Sequence, residues 1–283
     1  MLSRSLLSKS LGSLLALGMV PALAQVPSVA APAEAAAIAP RQHAPRRVYP
    51  GSVPRVIGNV TVEESTNWSG YAVEGTSFTS AKGSWIIPTV NCTTTPNTYS
   101  SFWVGIDGWT STTVEQTGTD SDCSGRTPSY YAWYEFYPAG SVLISSVPVS
   151  PGNKMSASVT WVSGTEFTVS ITNETTGKSF SKTGRVSGAQ RTSAEWIAEA
   201  PCCTRSGGIL PLADFGIVDF GDDYTGVAST NDATDSTVTG PISGFGSNVF
   251  ESIMVNGSTG ADEAVPSALS TDGSSFTVTW DSE

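Results

Sequence analysis

In the stretch EFTVSITNE, Phe167, Val169 and Ile171 alternate with Thr168, Ser170 and Thr172. A two-residue period of this kind belongs to a strand with one dry face and one wet face. Further segments rich in β-branched and aromatic residues are SFWVGID at 101–107, YYAWYEFY at 130–137, SVLISSVPV at 141–149, MSASVTWV at 155–162, GIVDF at 216–220, VFESIMV at 249–255 and SFTVTWD at 275–281. Turn formers such as Pro151-Gly152-Asn153 and Thr176-Gly177 stand between them. Almost no segment carries a helical period, so the expected fold is all-β, an antiparallel sandwich whose two sheets share one core. The segment AEWIAEA at 194–200 could pass for a helical turn, but Pro201 follows it directly and favours a strand. As a strand it sends Trp196 and Ala198 to one side and Glu195, Ile197 and Glu199 to the other. Residues 225–246 are loop-rich and read as an excursion from the sandwich.

Three stretches differ in composition. Residues 1–24 carry Arg4 and Lys9, then the apolar run GSLLALGMVPALA, and end on Ala22, Leu23 and Ala24. This is the pattern of a secretory signal peptide, and the chain is expected to be secreted and extracellular. Residues 25–60 are rich in Ala and Pro with few large apolar side chains, and read as a pro-segment or disordered leader that builds no core. Residues 61–283 are long enough for one large domain. This body holds 8 Lys+Arg against 24 Asp+Glu, whereas the leader holds four Arg and one Glu. The opposite signs suggest a latch in which the basic leader covers an acidic site near neutrality and loosens when carboxylates protonate. An acidic body also argues against nucleic acid or anionic membrane as a partner.

The only histidine, His43, lies in the leader. Without it the body lacks the commonest general base, so a hydrolase that uses no metal must rely on carboxylates, which work best in acid. The chain has no Gly-x-Ser-x-Gly elbow, and the standard serine and cysteine triads lack their histidine. Cys92, Cys123, Cys202 and Cys203 fit no zinc spacing, so no metal or other cofactor is expected. In an exported chain they are candidates for disulfides with three full pairings open, of which a bond between the adjacent Cys202 and Cys203 looks strained. Candidate site residues cluster where large aromatics meet acids and an amide: Trp103 and Asp107, then Gln116, then Trp133 and Glu135, and the acids Glu195 and Glu199. Carboxylates inside strands hint at a lined cleft. Taken singly, each acid reads equally as a paired structural group, and each tryptophan as core.

Ordered blocks narrow this further. NWSGY at 67–71, FWVGIDG at 102–108, EQTGTD at 115–120, AWYEFYP at 132–138, TNETTG at 172–177, AEWIAEAP at 194–201 and LADFG at 212–216 together resemble the glutamic peptidases of family G1, the eqolisins. The resemblance implies a sandwich of two long, curved antiparallel sheets, a concanavalin-like jelly roll with a cleft on its concave face. It implies a secreted acid endopeptidase with Gln116 and Glu199 as the catalytic pair. Trp103, Asp107, Asp120, Trp133 and Glu135 fall in the blocks that line or support the cleft. The implied chemistry is attack of water on a peptide carbonyl without a covalent intermediate. Polypeptides are then the substrates, the chain's own pro-segment is an inhibitor removed in acid, and the enzyme works as a monomer. The competing reading is a catalytically inactive sandwich that binds glycans or proteins.

Overall fold

Alternation along the chain becomes eighteen strands among the described residues, which in this computed structural model are Met1, 41–203 and 207–282. The first nine are β1 (Arg55–Ile57), β2 (Val60–Ser65), β3 (Trp68–Glu74), β4 (Ser80–Ile86), β5 (Ser101–Ile106), β6 (Val114–Ser124), β7 (Thr127–Tyr137), β8 (Val142–Ile144) and β9 (Lys154–Ser163). They are followed by β10 (Glu166–Asn173), β11 (Lys178–Arg185), β12 (Ser193–Glu199), β13 (Ile217–Phe220), β14 (Asp232–Thr234), β15 (Thr239–Pro241), β16 (Val249–Val255), β17 (Asp262–Pro266) and β18 (Phe276–Trp280). The expected signal peptide, Met1 apart, and residues 25–40 of the expected leader lie outside the described residues.

Pairing sorts the strands into two layers. The front layer runs β1, β2, β16, β3, β12, β5, β6, β7, β8. The back layer runs β17, β18, β13, β4, β9, β10, β11, with the β14–β15 hairpin added on β4, and β16 pairs with β17 to link the two. Every pairing between these strands is antiparallel except that of β2 with β16. Short turns give antiparallel neighbours, whereas β2 and β16 are far apart in sequence and are free to align in parallel. AEWIAEA is a strand, β12, central to the front layer.

The main core lies between the layers. Phe102 and Val104 of β5 and Trp196 of β12 meet Trp85 of β4, Val159 of β9 and Phe220 of β13. Each such side chain contributes on the order of 1.5–3 kcal/mol by leaving water. Hydrogen bonds also cross this core, from Trp85 Nε1 to Thr119 Oγ1 at 2.8 Å and from Trp196 Nε1 to the Lys82 carbonyl at 2.6 Å. A second apolar cluster, with Trp68, Trp103, Trp109, Trp133 and Ile197, lies on the outer face of the front layer. The disulfides are Cys92–Cys123 and the adjacent pair Cys202–Cys203, the pairing that covalent geometry disfavoured. The first ties the loop after β4 to the end of β6 across a separation of 31 residues, stabilising by about 3–4 kcal/mol on the chain-entropy account.

Residues 41–60 depart from the expectation that the leader builds no core. His43 and Ala44 are buried, Val48 bridges to Ser65, and β1 adds to the edge of β2. Composition pointed elsewhere because these contacts are mainly polar and ionic, and hydropathy does not record them.

Candidate active site

Strand register decides which side chains can meet. Across β12, β5, β6 and β7 the pairing sets Glu195, Gly105, Gln116 and Glu135 in one row. The next row on the same face is Ile197, Trp103, Gly118 and Trp133, and the one after it is Glu199, Ser101, Asp120 and Tyr131. With a side-chain period of two, all of these point to the outer face of the front layer. Gly118 makes room within the rows: a Cβ there would collide with Trp103 and with the Phe102 carbonyl.

Four acids on this face meet a donor. Trp103 Nε1 donates to Glu199 Oε2 at 2.8 Å, Trp133 Nε1 to Asp120 Oδ1 at 2.7 Å, and the Tyr131 hydroxyl to Asp122 Oδ2 at 2.9 Å. Gln116 Nε2 reaches Glu135 Oε2 at 3.4 Å. Buried carboxyls are costly unless hydrogen-bonded, and here the aromatic residues supply both the apolar wall and the polar partner. Gln116 Oε1, Asp120 Oδ2, Glu135 Oε1 and Glu199 Oε1 have no hydrogen-bond partner among the described residues. Buried polar atoms left open in this way are where water or substrate bonds.

Asp107 does a different job. It ends β5 in a left-handed conformation, φ 71°, and its carboxylate accepts the backbone N–H groups of Gln190, Arg191 and Thr192 at 2.7–2.9 Å. It thereby fixes the turn that feeds β12 and supports the site without entering it.

Residues 41–47 lie across the rows as a strap. Gln42 pairs with Cys202 through both its N–H and its carbonyl, at 3.1 and 2.8 Å. The Ala44 carbonyl accepts Trp68 Nε1 at 3.1 Å, and Arg47 N donates to Asn67 Oδ1 at 2.7 Å. Between these anchors His43 is buried completely, stacked on Trp133 with ring centroids 3.6 Å apart and planes 6° from parallel. Its Nδ1 meets Glu135 Oε2 at 3.1 Å, its Nε2 meets Asp120 Oδ1 at 3.2 Å, and its backbone N–H donates to Glu135 Oε2 at 2.9 Å. Its carbonyl accepts Gln116 Nε2 at 2.7 Å. The residue that the sequence reading set aside with the leader is the one around which the site is assembled. With a carboxylate at each ring nitrogen, the imidazole fits best as a cation.

The electrostatics agree. Burial opposes the His43 charge, but Asp120, Glu135 and Glu199 outweigh it and push the imidazole from 6.5 up to about 10. Burial raises Glu199 well above the ordinary carboxylate range; His43 and the Trp103 hydrogen bond pull it down, while Glu135 and Asp120 push it further up. Glu135 is raised by burial against the pull of His43. Burial and then the Asp120 charge raise Asp122 to about 8. These signs run against a latch that acid loosens. A raised His43 contributes stability fully present below 6.5 and lost only through about 10, and raised carboxyls likewise favour the folded form in acid.

The structure thus gathers Gln116, Asp120, Trp133 and Glu135 around residue 43, with Glu199 and Trp103 beside them and Asp107 behind. Sequence reasoning passed over His43, Asn67, Trp68, Asp122 and Tyr131. The block NWSGY carried the signal for Asn67 and Trp68, and the two-residue period from Trp133 and Asp120 would have reached Tyr131 and Asp122.

Comparison with known proteins gives a consistent result. The model of the peptidase A4 family matches residues 66–276. Aspergillopepsin-2 of Aspergillus niger is 31% identical over 225 residues, covering 70% of this chain and 79% of that protein. Scytalidopepsin B of Scytalidium lignicola is 35% identical over 147 residues, 50% of this chain and 55% of that protein. Among solved structures, scytalido-glutamic peptidase with a transition state analog inhibitor superposes with a TM-score of 0.63 at 26% identity, over 76% of this chain and 98% of that one. Aspergilloglutamic peptidase from Aspergillus niger gives 0.53 at 32% identity, over 65% and 99%.

Proposed function

The chain belongs to the peptidase A4 family of glutamic peptidases and is a proteolytic enzyme, and from that premise we propose that Glu199 and Gln116 carry its reaction. The observation that supports this most is the contact of Gln116 Nε2 with a peptide carbonyl, that of His43, at 2.7 Å. A donor so placed stabilises the charge that develops on the oxygen when water adds to the carbonyl carbon. Glu199 takes the proton from that water and returns it to the leaving nitrogen, as general base and then general acid. Trp103 occupies Oε2 of Glu199 and leaves Oε1 for the water. Asp120 and Glu135 line the side-chain space next to the reacting carbonyl, and Asp107 holds β12 in place from behind.

While the strap lies over the site it fills the place another polypeptide would take, with the His43 carbonyl on Gln116 Nε2, and burial raises the proton affinity of Glu199. Residues 41–47 therefore act as an inhibitor, and the active form is the chain without them. Removing the strap readmits solvent and lowers the proton affinity of Glu199 toward the acid range. Carboxyls that give and take protons work best near their own low pKa, so activity is expected in acid. We place the enzyme outside the cell, on the signal pattern and its relatives, as a monomer that cuts polypeptides. The test is to acidify the protein and add a denatured protein substrate. Fragments in acid that disappear near neutrality are expected; no fragments after complete removal of the strap would overturn the reading.

A further inference from the structure

Away from the catalytic pair, the strap places a second charged side chain in a built site. Arg46 is the third residue past the carbonyl that Gln116 holds, and only 5% of its side chain is exposed. Its guanidinium carbon lies 3.6 Å from the centroid of the Trp109 ring, and its Nη1 donates to Glu63 Oε2 at 2.5 Å. Glu74, at the end of β3, adds a second negative charge nearby. A buried cation is costly unless paired; here a flat guanidinium has an indole against its face and a carboxylate at its edge.

The walls of this site are set without Arg46. Trp109 also packs against Phe250 of β16, with centroids 5.4 Å apart, and Glu63 sits in β2 opposite Ser252 of β16. The turn that presents Trp109 is fixed from behind, where the Asp107 carboxylate accepts three backbone N–H groups and Gly108 N–H donates to Ser111 Oγ at 2.8 Å. Gly108 has a φ of 103° and lies so close to Val114 and Trp68 that a Cβ would collide with both. Backbone contacts then fix the register of the bound chain. Arg46 N–H donates to the Gly108 carbonyl at 3.1 Å, while Asn67 reaches the Pro45 carbonyl through Nδ2 at 3.3 Å and accepts Arg47 N–H on Oδ1 at 2.7 Å. Main-chain groups of this kind belong to any extended polypeptide. A different chain seated with a carbonyl on Gln116 therefore brings its own third residue past that carbonyl to Trp109.

We propose that Trp109 and Glu63, with Glu74 beside them, form a guanidinium subsite that selects arginine at the third residue after the cut in polypeptide substrates. This rests on the reading of Gln116 above and is independent of whether the strap is itself cut. Lysine fits the subsite less well, because an ammonium is a compact, strongly hydrated charge that neither stacks flat on an indole nor forks onto a carboxylate. The subsite lies apart from the reacting atoms, so it acts on binding and on register rather than on the chemical step.

The experiment digests a mixture of denatured proteins with the wild-type enzyme in acid and locates the cuts by mass spectrometry of the fragments. Arginine is expected at the third residue after the cut more often than its frequency in the mixture. Fragments without that enrichment would overturn this inference and leave the peptidase reading standing; no fragments at all would overturn both. A peptide cut in the digest is then made with arginine, lysine or citrulline at that position, citrulline keeping the planar shape without the charge. The arginine peptide should exceed the citrulline peptide about tenfold or more in kcat/KM, mainly through KM, with lysine between them. Equal values for arginine and citrulline with the wild-type enzyme would remove the subsite, whether or not any variant folds. In Trp109→Leu and Glu63→Gln proteins that melt as wild type does, the ratio should fall toward one while kcat on the citrulline peptide is kept. A ratio unchanged in both would overturn the assignment to these residues.

Discussion

Gln116 has a single task in this account, to place one N–H on one carbonyl oxygen. Removing a well-aimed donor of this kind costs on the order of 3 kcal/mol in a hydrolase transition state. Gln116→Ala is therefore expected to fold and to lose about a hundredfold or more in turnover, measured on a denatured protein in acid; turnover within a factor of two of wild type would argue against the role. The amide and the acid were legible only through their blocks, because a buried Gln or Glu in a strand looks the same in sequence as an exposed one. His43 was not legible at all. Its carboxylate partners lie 77 and 92 residues away, and nothing local in RQHAP announces them.

Strands with one wet face announced themselves by period, whereas β6, dry on both sides, did not. β10, with its burial alternating along its length, is the segment whose period stood out first. β6 is buried from Val114 to Cys123 and is written in polar residues, because one face meets the core and the other meets the strap. No hydropathy period survives that arrangement. SVLISSVPV is a strand only over Val142–Ile144, since its later residues form turns that strand propensity alone does not separate. His43 supplies the buried ionic contacts at the centre of the strap. Breaking a buried charged pair by removing one partner costs about 3–5 kcal/mol, so His43→Ala in a Glu199→Gln background should leave residues 41–48 poorly protected from hydrogen exchange at neutral pH. Protection equal to that of the Glu199→Gln parent would show that the backbone contacts suffice without the imidazole.

For the molecule as a whole, the acidic balance becomes a pH dependence of stability. Glu115 is pushed up to about 9 by burial and the nearby Asp107, and Glu195 well above its ordinary range by burial and neighbouring acids. A carboxyl whose folded value is raised stabilises the fold at low pH, and that contribution is lost as pH rises through the raised value. The lowered groups, Asp235 and Asp272, act in the opposite sense but lie near the surface, where solvent screens them. Thermal unfolding of the processed protein is expected to show a Tm that falls between mildly acid and mildly alkaline buffer. A Tm that rises over that range would mean that these carboxyls are paired or hydrated in a way the structure does not have. The two-layer architecture was readable from alternation and turns, but the junction of β2 with β16 was not, because pairing between distant segments leaves no local mark.

The central claim is that the Glu199 carboxylate moves the proton of the attacking water. Its most direct test is the turnover of Glu199→Gln on a denatured protein in acid, after a trace of wild-type enzyme, later inhibited or removed, has cut away the strap and intact mass has verified the cut. A correctly folded protein with no turnover above background is expected. Hydrolysis at the wild-type rate would contradict it.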